Sequence, residues 1–218
     1  MAGHPSHLWR AEAGSRLALR IVCATANRHK LREIRAILQD LPITLLSLED
    51  FSPFPVPEEN GGSYAENALI KARAVYVRTG TPTLADDTGL EVQVLAGRPG
   101  IHSQRYATDD STRRSQLLQE LHGVPPEGRK ARFICAVAYV DFHGEQLFQE
   151  EVVGRIAEHC TGQEGFGYDP LFFLPHEGKT YAEMSALEKN AVSHRGKALA
   201  SFRQWLLSRG LLVSDRTA

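Results

Sequence analysis

The residues most able to do chemistry fall in a few short clusters. The first is Thr25-x-Asn27-x-x-Lys30, which with Ala26, Arg28 and His29 lies between an apolar run at 20–24 and a helix-patterned run at 30–38. A strand-to-helix junction presents the unpaired amides of the first helical turn and the positive end of the helix dipole, and both favour an anion. A hydroxyl, an amide and an ammonium gathered there suit a polyphosphate. The loop is not a Walker A motif, because the glycines and the Gly-Lys-Ser/Thr ending are absent. A threonine N-cap beside a solvated lysine is the plainer alternative.

Asp86-Asp87-Thr88-Gly89 lies between predicted short strands at 83–85 and 90–94. Adjacent strand residues point to opposite faces, so the two carboxylates meet one ligand only where the strand breaks, and Thr88-Gly89 could supply the break. Two acids near a phosphate loop suit Mg2+, which takes few carboxylates, several waters and phosphate oxygens. An Asp-rich turn is the alternative. Glu58-Glu59 sits in a Pro-punctuated loop at 52–62, ahead of a helix that opens on Ser63-x-x-Glu66, a capping-box pattern. Lys71 lies about one and a half turns beyond Glu66 and need not share its face.

Gly165-Phe166-Gly167-Tyr168-Asp169-Pro170 combines glycines, aromatics and an acid. Phe166 or Tyr168 could stack on a base and Asp169 could accept an N–H, or the segment could be an aromatic corner that anchors a loop. Lys189-x-x-x-Ser193-His194-Arg195 places two cations and an imidazole around a helix start, where they could donate to a carbonyl oxygen or a phosphate.

The elements that must position these groups alternate between strand and helix patterns. A strand at 43–46, a helix from Ser63 to Gly80, a long loop at 96–110, a helix capped by Ser111, an antiparallel hairpin at 131–142 and 146–157, a Gly-rich loop at 161–170, a strand at 171–174 and a helix at about 193–207 follow in order. The pattern predicts one α/β domain over 20–210, with an extension or leader at 1–19 and a tail at 211–218. The 218 residues carry 25 Lys and Arg against 26 Asp and Glu, a formal charge of −1, and are 42% hydrophobic. That balance disfavours a broad nucleic-acid footprint, and the hydrophobic share is enough for a core. The charge is nevertheless segregated, since residues 41–70 hold acids and no base. Three cysteines, Cys23, Cys135 and Cys160, with no Cys-x-x-Cys, argue against a disulfide framework or a structural zinc site and for a reducing cytoplasm. No run approaches the roughly 18 apolar residues of a membrane span.

Taken in order, IVCATANRHKLREI, SYAENALIKARA, LADDTGLEV, GRPGIHSQRYA, ARFICAVAYV, GFGYDPLFF and AEMSALEKNAVSHRGKAL resemble the inosine triphosphate pyrophosphatase family, also called dITP/XTP pyrophosphatases. The resemblance covers about 21–209. It implies an elongated mixed β-sheet flanked by helices, two lobes with a central cleft, and Mg2+-dependent hydrolysis of non-standard purine nucleoside triphosphates to monophosphate and pyrophosphate. It implies that Thr25, Ala26, Asn27, Arg28, His29 and Lys30 cradle phosphates, although Ala26 stands where the family usually has glycine. Asp87 would be the proton acceptor and a metal ligand, with Thr88 in place of the usual serine, and Glu58 would be the second metal-associated acid, with Glu59 adjacent. Lys71, Lys189, His194, Arg195, Phe166, Gly167, Tyr168 and Asp169 would meet substrate. A homodimer is also implied. A related Mg2+-dependent nucleotide pyrophosphatase with a different base preference is the nearest alternative, and a nucleotide-binding module without catalysis and a nucleic-acid binder that stacks bases on Phe166 and Tyr168 are the alternatives from other classes.

Overall fold

A computed structural model describes residues 18–55 and 57–210. The expected extension at 1–19 is described only in its last two residues, of which Leu19 already belongs to the first strand, and the expected tail at 211–218 lies outside the described residues.

Apolar side chains on alternate positions build a single mixed sheet. β1 (Leu19–Cys23) runs parallel to β2 (Ile43–Leu46) and to the start of β3 (Thr83–Val92). Beyond β3 the sheet is antiparallel: β5 (Lys130–Asp141) pairs with all of β3, then come β6 (Gly144–Ile156), β7 (Phe172–Leu174) and β8 (Lys179–Thr180). The two-residue β4 (Pro99–Gly100) joins the outer end of β3. The order across the sheet is β2-β1-β3-β5-β6-β7-β8. The predicted hairpin is present as β5 and β6.

The helices differ from expectation mainly at their starts. α1 (Arg28–Leu38) is capped by Asn27, whose side chain accepts from the amides of His29 and Lys30; Thr25 is therefore not the cap. α2 (Tyr64–Thr79) is capped by Ser63, but the Glu66 carboxylate takes the Gly62 amide rather than that of Ser63, so the capping box is only half made. α3 (Asp110–Glu120) is capped by Asp109, not Ser111. α4 (Ala186–Val192), in a segment that reads as a polar loop, is a short helix with its own capping box from Ser185 and Glu188. α5 (His194–Ser208) follows directly on Ser193.

Packing divides the sheet into two lobes. On one face α1 and α5 cover Ile21, Cys23, Leu84, Val137 and Tyr139, and on the other α2 covers Val22, Ala85, Ala136 and Ala138. At the far end of β3 and β5 a separate core joins Leu90, Val92 and Phe133 to Leu117 of α3 and to Phe172 and Tyr181. Leu84, Asp86, Thr88, Leu90 and Val92 share one face of β3. Leu84 belongs to one core and Leu90 to the other, so the polar pair between them marks the gap where the two cores part.

Close approach also demands glycine at the edge of this gap. A Cβ on Gly89 would lie 2.3 Å from the Gly100 carbonyl oxygen of β4 and 2.6 Å from the Tyr64 ring. Gly89→Ala should destabilise by about 1–3 kcal/mol through overpacking. In a thermal melt this appears as a Tm lowered by several degrees, and an unchanged Tm would show that the approach is slack.

Candidate active site

β3 does not break at Thr88-Gly89, contrary to expectation, but runs unbroken through residues 86–89. Asp86 pairs with Val137, Asp87 with Ala136, Thr88 with Cys135 and Gly89 with Ile134, all within one continuous ladder. What ends is the neighbour. β1 pairs with β3 only at Thr83 and Leu84, and β4 joins only at Leu90 and Glu91. Residues 86–89 thus have no strand partner on that edge among the described residues. A buried backbone carbonyl needs a donor, and the Asp86 carbonyl takes the Lys71 ammonium at 2.7 Å.

Because the strand is continuous, the two aspartates face opposite sides of the sheet. Asp86 turns toward α1 and α5, where its Oδ2 meets Lys30 Nζ at 3.2 Å, Arg195 at 3.0 Å and the Thr88 hydroxyl at 3.1 Å. Its Oδ1 is buried without a hydrogen-bond partner among the described residues. Burial alone would raise the Asp86 pKa, but Lys30, Arg195 and Lys71 reverse this and hold the carboxyl well below the usual range.

From Asp86 a chain of alternating charge runs through the site. Arg195 pairs onward with Glu33 of α1, Glu33 with Lys189 of α4 at 2.8 Å, and Lys189 with Asp169 at 2.5 Å. Burial works against an ionised Glu33, yet Arg195 and Lys189 lower its pKa. Asp169 keeps a raised pKa because burial outweighs Lys189.

Asp87 faces α2. Its Oδ2 accepts from Asn67 Nδ2 at 3.2 Å, and its Oδ1 lies 3.6 Å from the Lys71 ammonium, which also holds Glu59 at 2.6 Å. Burial raises the Asp87 pKa, Lys71 and Lys30 oppose the rise, and Glu59 adds to it. Glu59 is the loop acid brought to Asp87; Glu58 is exposed.

On the Asp86 face lies a cleft of about 310 Å3 whose lining includes Asn27, His29, Lys30, Thr88, Phe166, Gly167, Tyr168, Asp169, Lys189, His194 and Arg195. Phe166 stacks on His29 across it, with ring centroids 5.1 Å apart and planes 22° apart, and lies 4.9 Å from the Lys189 ammonium. Tyr168 takes the anchoring role, buried with its hydroxyl donating to the Ser103 carbonyl. The backbone of Gly167 is gripped on both sides, its N–H by Asp110 at 2.7 Å and its carbonyl by Arg114 at 2.8 Å. Thr25, Ala26 and Arg28 do not line this cleft. They open onto an adjoining groove with Leu31, Phe51 and Phe54, and Arg28 pairs with Glu49 at the surface.

Residues of this site not singled out in the sequence include Glu33, Asn67, Asp110 and Arg114. Glu33 lies three residues after Lys30 in a predicted helix, so their shared face was readable. Nothing local marks the others.

The fold and site define an α/β protein whose cleft combines an aromatic platform with paired cations and carboxylates, the equipment for a nucleotide. The Ham1 family pattern matches residues 21–205, and the chain belongs to that family. A dITP/XTP pyrophosphatase of Geobacter sulfurreducens is 49% identical over 196 residues, covering 88% of this chain and 98% of that one. A dITP/XTP pyrophosphatase of Geobacillus kaustophilus is 47% identical, covering 85% and 93%. The solved HAM1 protein of Coxiella burnetii superposes with a TM-score of 0.79 at 39% identity, covering 87% of this chain and 99% of its own.

His194 stacks on Phe133 at 4.5 Å, with planes 10° apart, and is buried. Burial first, then Arg195 and Lys189, push its pKa well below the ordinary 6.5, so the folded site holds it neutral. The unfolded chain therefore binds a proton that the folded one refuses, and stability is lost as pH falls below that value. The Tm should drop between about pH 7 and pH 5, and drop less in His194→Phe, which keeps the stack. Equal drops in the two proteins would contradict a neutral His194.

Proposed function

We propose that the chain is a nucleoside triphosphate pyrophosphatase that hydrolyses dITP, ITP and XTP to the monophosphate and pyrophosphate. The observation that carries this beyond family membership is the cleft, in which a stacking ring, Phe166, stands beside a neutral imidazole and a guanidinium with few free donors. Arg195 spends its Nε, Nη1 and Nη2 groups on Asp86, Glu33 and Thr88. One guanidinium N–H remains for a 6-oxo group, beside the His194 ring, whose Nδ1 has no partner among the described residues. Adenine brings an amino donor to that place and leaves that donor unpaired, which a polar site penalises strongly.

The charge inventory supports a divalent cation, which we read as Mg2+. Lys30, Lys71, Lys189 and Arg195 are matched against Asp86, Glu33, Asp169, Glu59 and Asp87, so four cations already face five carboxylates. A triphosphate would add further negative charge to a site whose cations are already matched. Among the described residues no group of three or more His, Cys, Asp or Glu is placed to hold a metal. Asp87 and Glu59, flanking one ammonium, fit an ion that uses few carboxylates and completes its shell with water and phosphate oxygens. Of the two adjacent glutamates we therefore assign Glu59, rather than Glu58, to this role. Bound there, the ion would offset phosphate charge and polarise the phosphoryl oxygens.

The chain's own groups do the rest. Lys30 and Lys189 neutralise phosphate oxygens, and Asp87 takes the proton of the attacking water as it adds to the α-phosphorus. A raised pKa suits Asp87 to accept that proton. The near-balanced charge supports a protein that takes no nucleic acid. The cysteine pattern supports a cytoplasmic setting, and family membership supports a homodimer, which sedimentation would test.

Pyrophosphate release should be at least about 100-fold more efficient, as kcat/KM, for ITP and XTP than for ATP. Equal values would remove the base-reading account. A chelator should abolish turnover, with Mg2+ restoring it. Asp87→Asn should lower kcat by roughly a thousandfold, the general-base share of such a reaction, while ITP still binds. A near-normal kcat would remove Asp87 from the chemistry.

A further inference from the structure

We propose that Asn67 is a positioning residue, which sets the roll of the Asp87 carboxylate and its spacing from Glu59; this rests on the reading above that Asp87 acts on substrate. Asn67 lies in the first turn of α2 with no exposed surface. Its side chain makes two bonds in opposite directions. Oδ1 accepts the Gly61 amide at 2.8 Å, and Nδ2 donates to Asp87 Oδ2 at 3.2 Å. A backbone N–H only donates and an ionised carboxylate only accepts, so the orientation of the amide is fixed by its partners.

The two partners belong to the two halves of the acidic site. Gly61 closes the loop that carries Glu59, and Asp87 lies on β3. The amide of Asn67 therefore works as a spacer between loop and strand. The fit at the loop end is tight: a Cβ on Gly61 would come within 2.9 Å of Asn67 Oδ1 and 2.8 Å of Glu66 Cβ.

At the strand end, the bond from Asn67 is the only side-chain hydrogen bond of the Asp87 carboxylate among the described residues. The other oxygen, Oδ1, faces the Lys71 ammonium at 3.6 Å, longer than a hydrogen bond. With the amide removed, nothing opposes rotation of the carboxylate onto Lys71, and a close Asp87–Lys71 pair would withdraw the oxygen that must meet the attacking water. Asn67 touches no substrate on this account. It acts by holding Asp87 away from its own counter-ion.

The test compares Asn67→Ala and Asn67→Asp in the full chain with ITP as substrate, each first shown to be folded by circular dichroism at the assay temperature. Asn67→Asp keeps the size and the acceptor for Gly61 but replaces the donor to Asp87 with a second carboxylate. Both variants should lose roughly 100-fold in kcat, with KM within about threefold of the parent, as for a displaced catalytic group. A role confined to the loop would spare Asn67→Asp, so a near-normal kcat there overturns the proposal. So does a loss expressed in KM. If Asn67→Ala fails to fold, Asn67→Ser is read in its place, alongside Asn67→Asp. Asp87→Asn assayed in parallel separates the two levels. An inactive Asp87→Asn beside a normal Asn67→Ala removes this inference alone, whereas an active Asp87→Asn removes the reading of Asp87 and this one with it.

Discussion

Charge buried between two cores is the constraint on which the rest of this structure depends. Lys30, Asp86, Arg195, Glu33, Lys189 and Asp169 form an unbroken series of alternating sign, and each of these side chains is largely withdrawn from water. Removing one member would leave its neighbours as uncompensated buried charges, which is far costlier than the net worth of a pair. The series also joins distant parts of the chain, since Lys30 and Glu33 come from α1, Asp86 from β3, Asp169 from the Gly-rich loop and Lys189 and Arg195 from the last two helices. Folding must bring all of these together or leave charges stranded.

Topology makes room for that network. The apolar face of β3 is interrupted only at Asp86 and Thr88, between Leu84 of one core and Leu90 of the other. The edge of β3 is open over the same residues, because β1 has ended and β4 has not begun. One continuous strand thus offers a carboxylate to each face beside a single gap. Asp86 serves the cations of the cleft, and Asp87 joins Lys71 and Glu59 on the α2 side. A network whose cations are already paired without ligand has a functional consequence. Lys30, Lys189 and Arg195 are held in place before substrate arrives, and further negative charge has to come with its own counter-ion.

Much of this was legible in the sequence, and the failures have physical causes. The hairpin, the strands at 20–24 and 43–46 and the helices from residues 30 and 63 follow from short apolar runs and from periods of two and 3.6 in apolar residues. The cleft residues Lys30, Phe166, Asp169, Lys189, His194 and Arg195 were found because unusual polar and aromatic types lie close together in sequence. The break expected at Thr88-Gly89 is absent from β3, and the gap lies instead in its neighbours, which are non-local: nothing near Asp86 records that β1 stops at Cys23. The short α4 was missed for want of an apolar stripe, being held by its capping box and by packing. Glu33, Asn67 and Asp110 act on partners far away in sequence, and their types are equally at home on a solvated helix.

The central claim is that water attacks the α-phosphorus of a 6-oxopurine nucleotide, so the bond that breaks lies between the α-phosphorus and the bridging oxygen of pyrophosphate. Hydrolysis of ITP by the intact protein in 18O-enriched water, followed by mass spectrometry of both products, reads this directly. The account predicts one solvent oxygen in the inosine monophosphate and none in the pyrophosphate. Label in the pyrophosphate, or release of inosine diphosphate with inorganic phosphate, would contradict it.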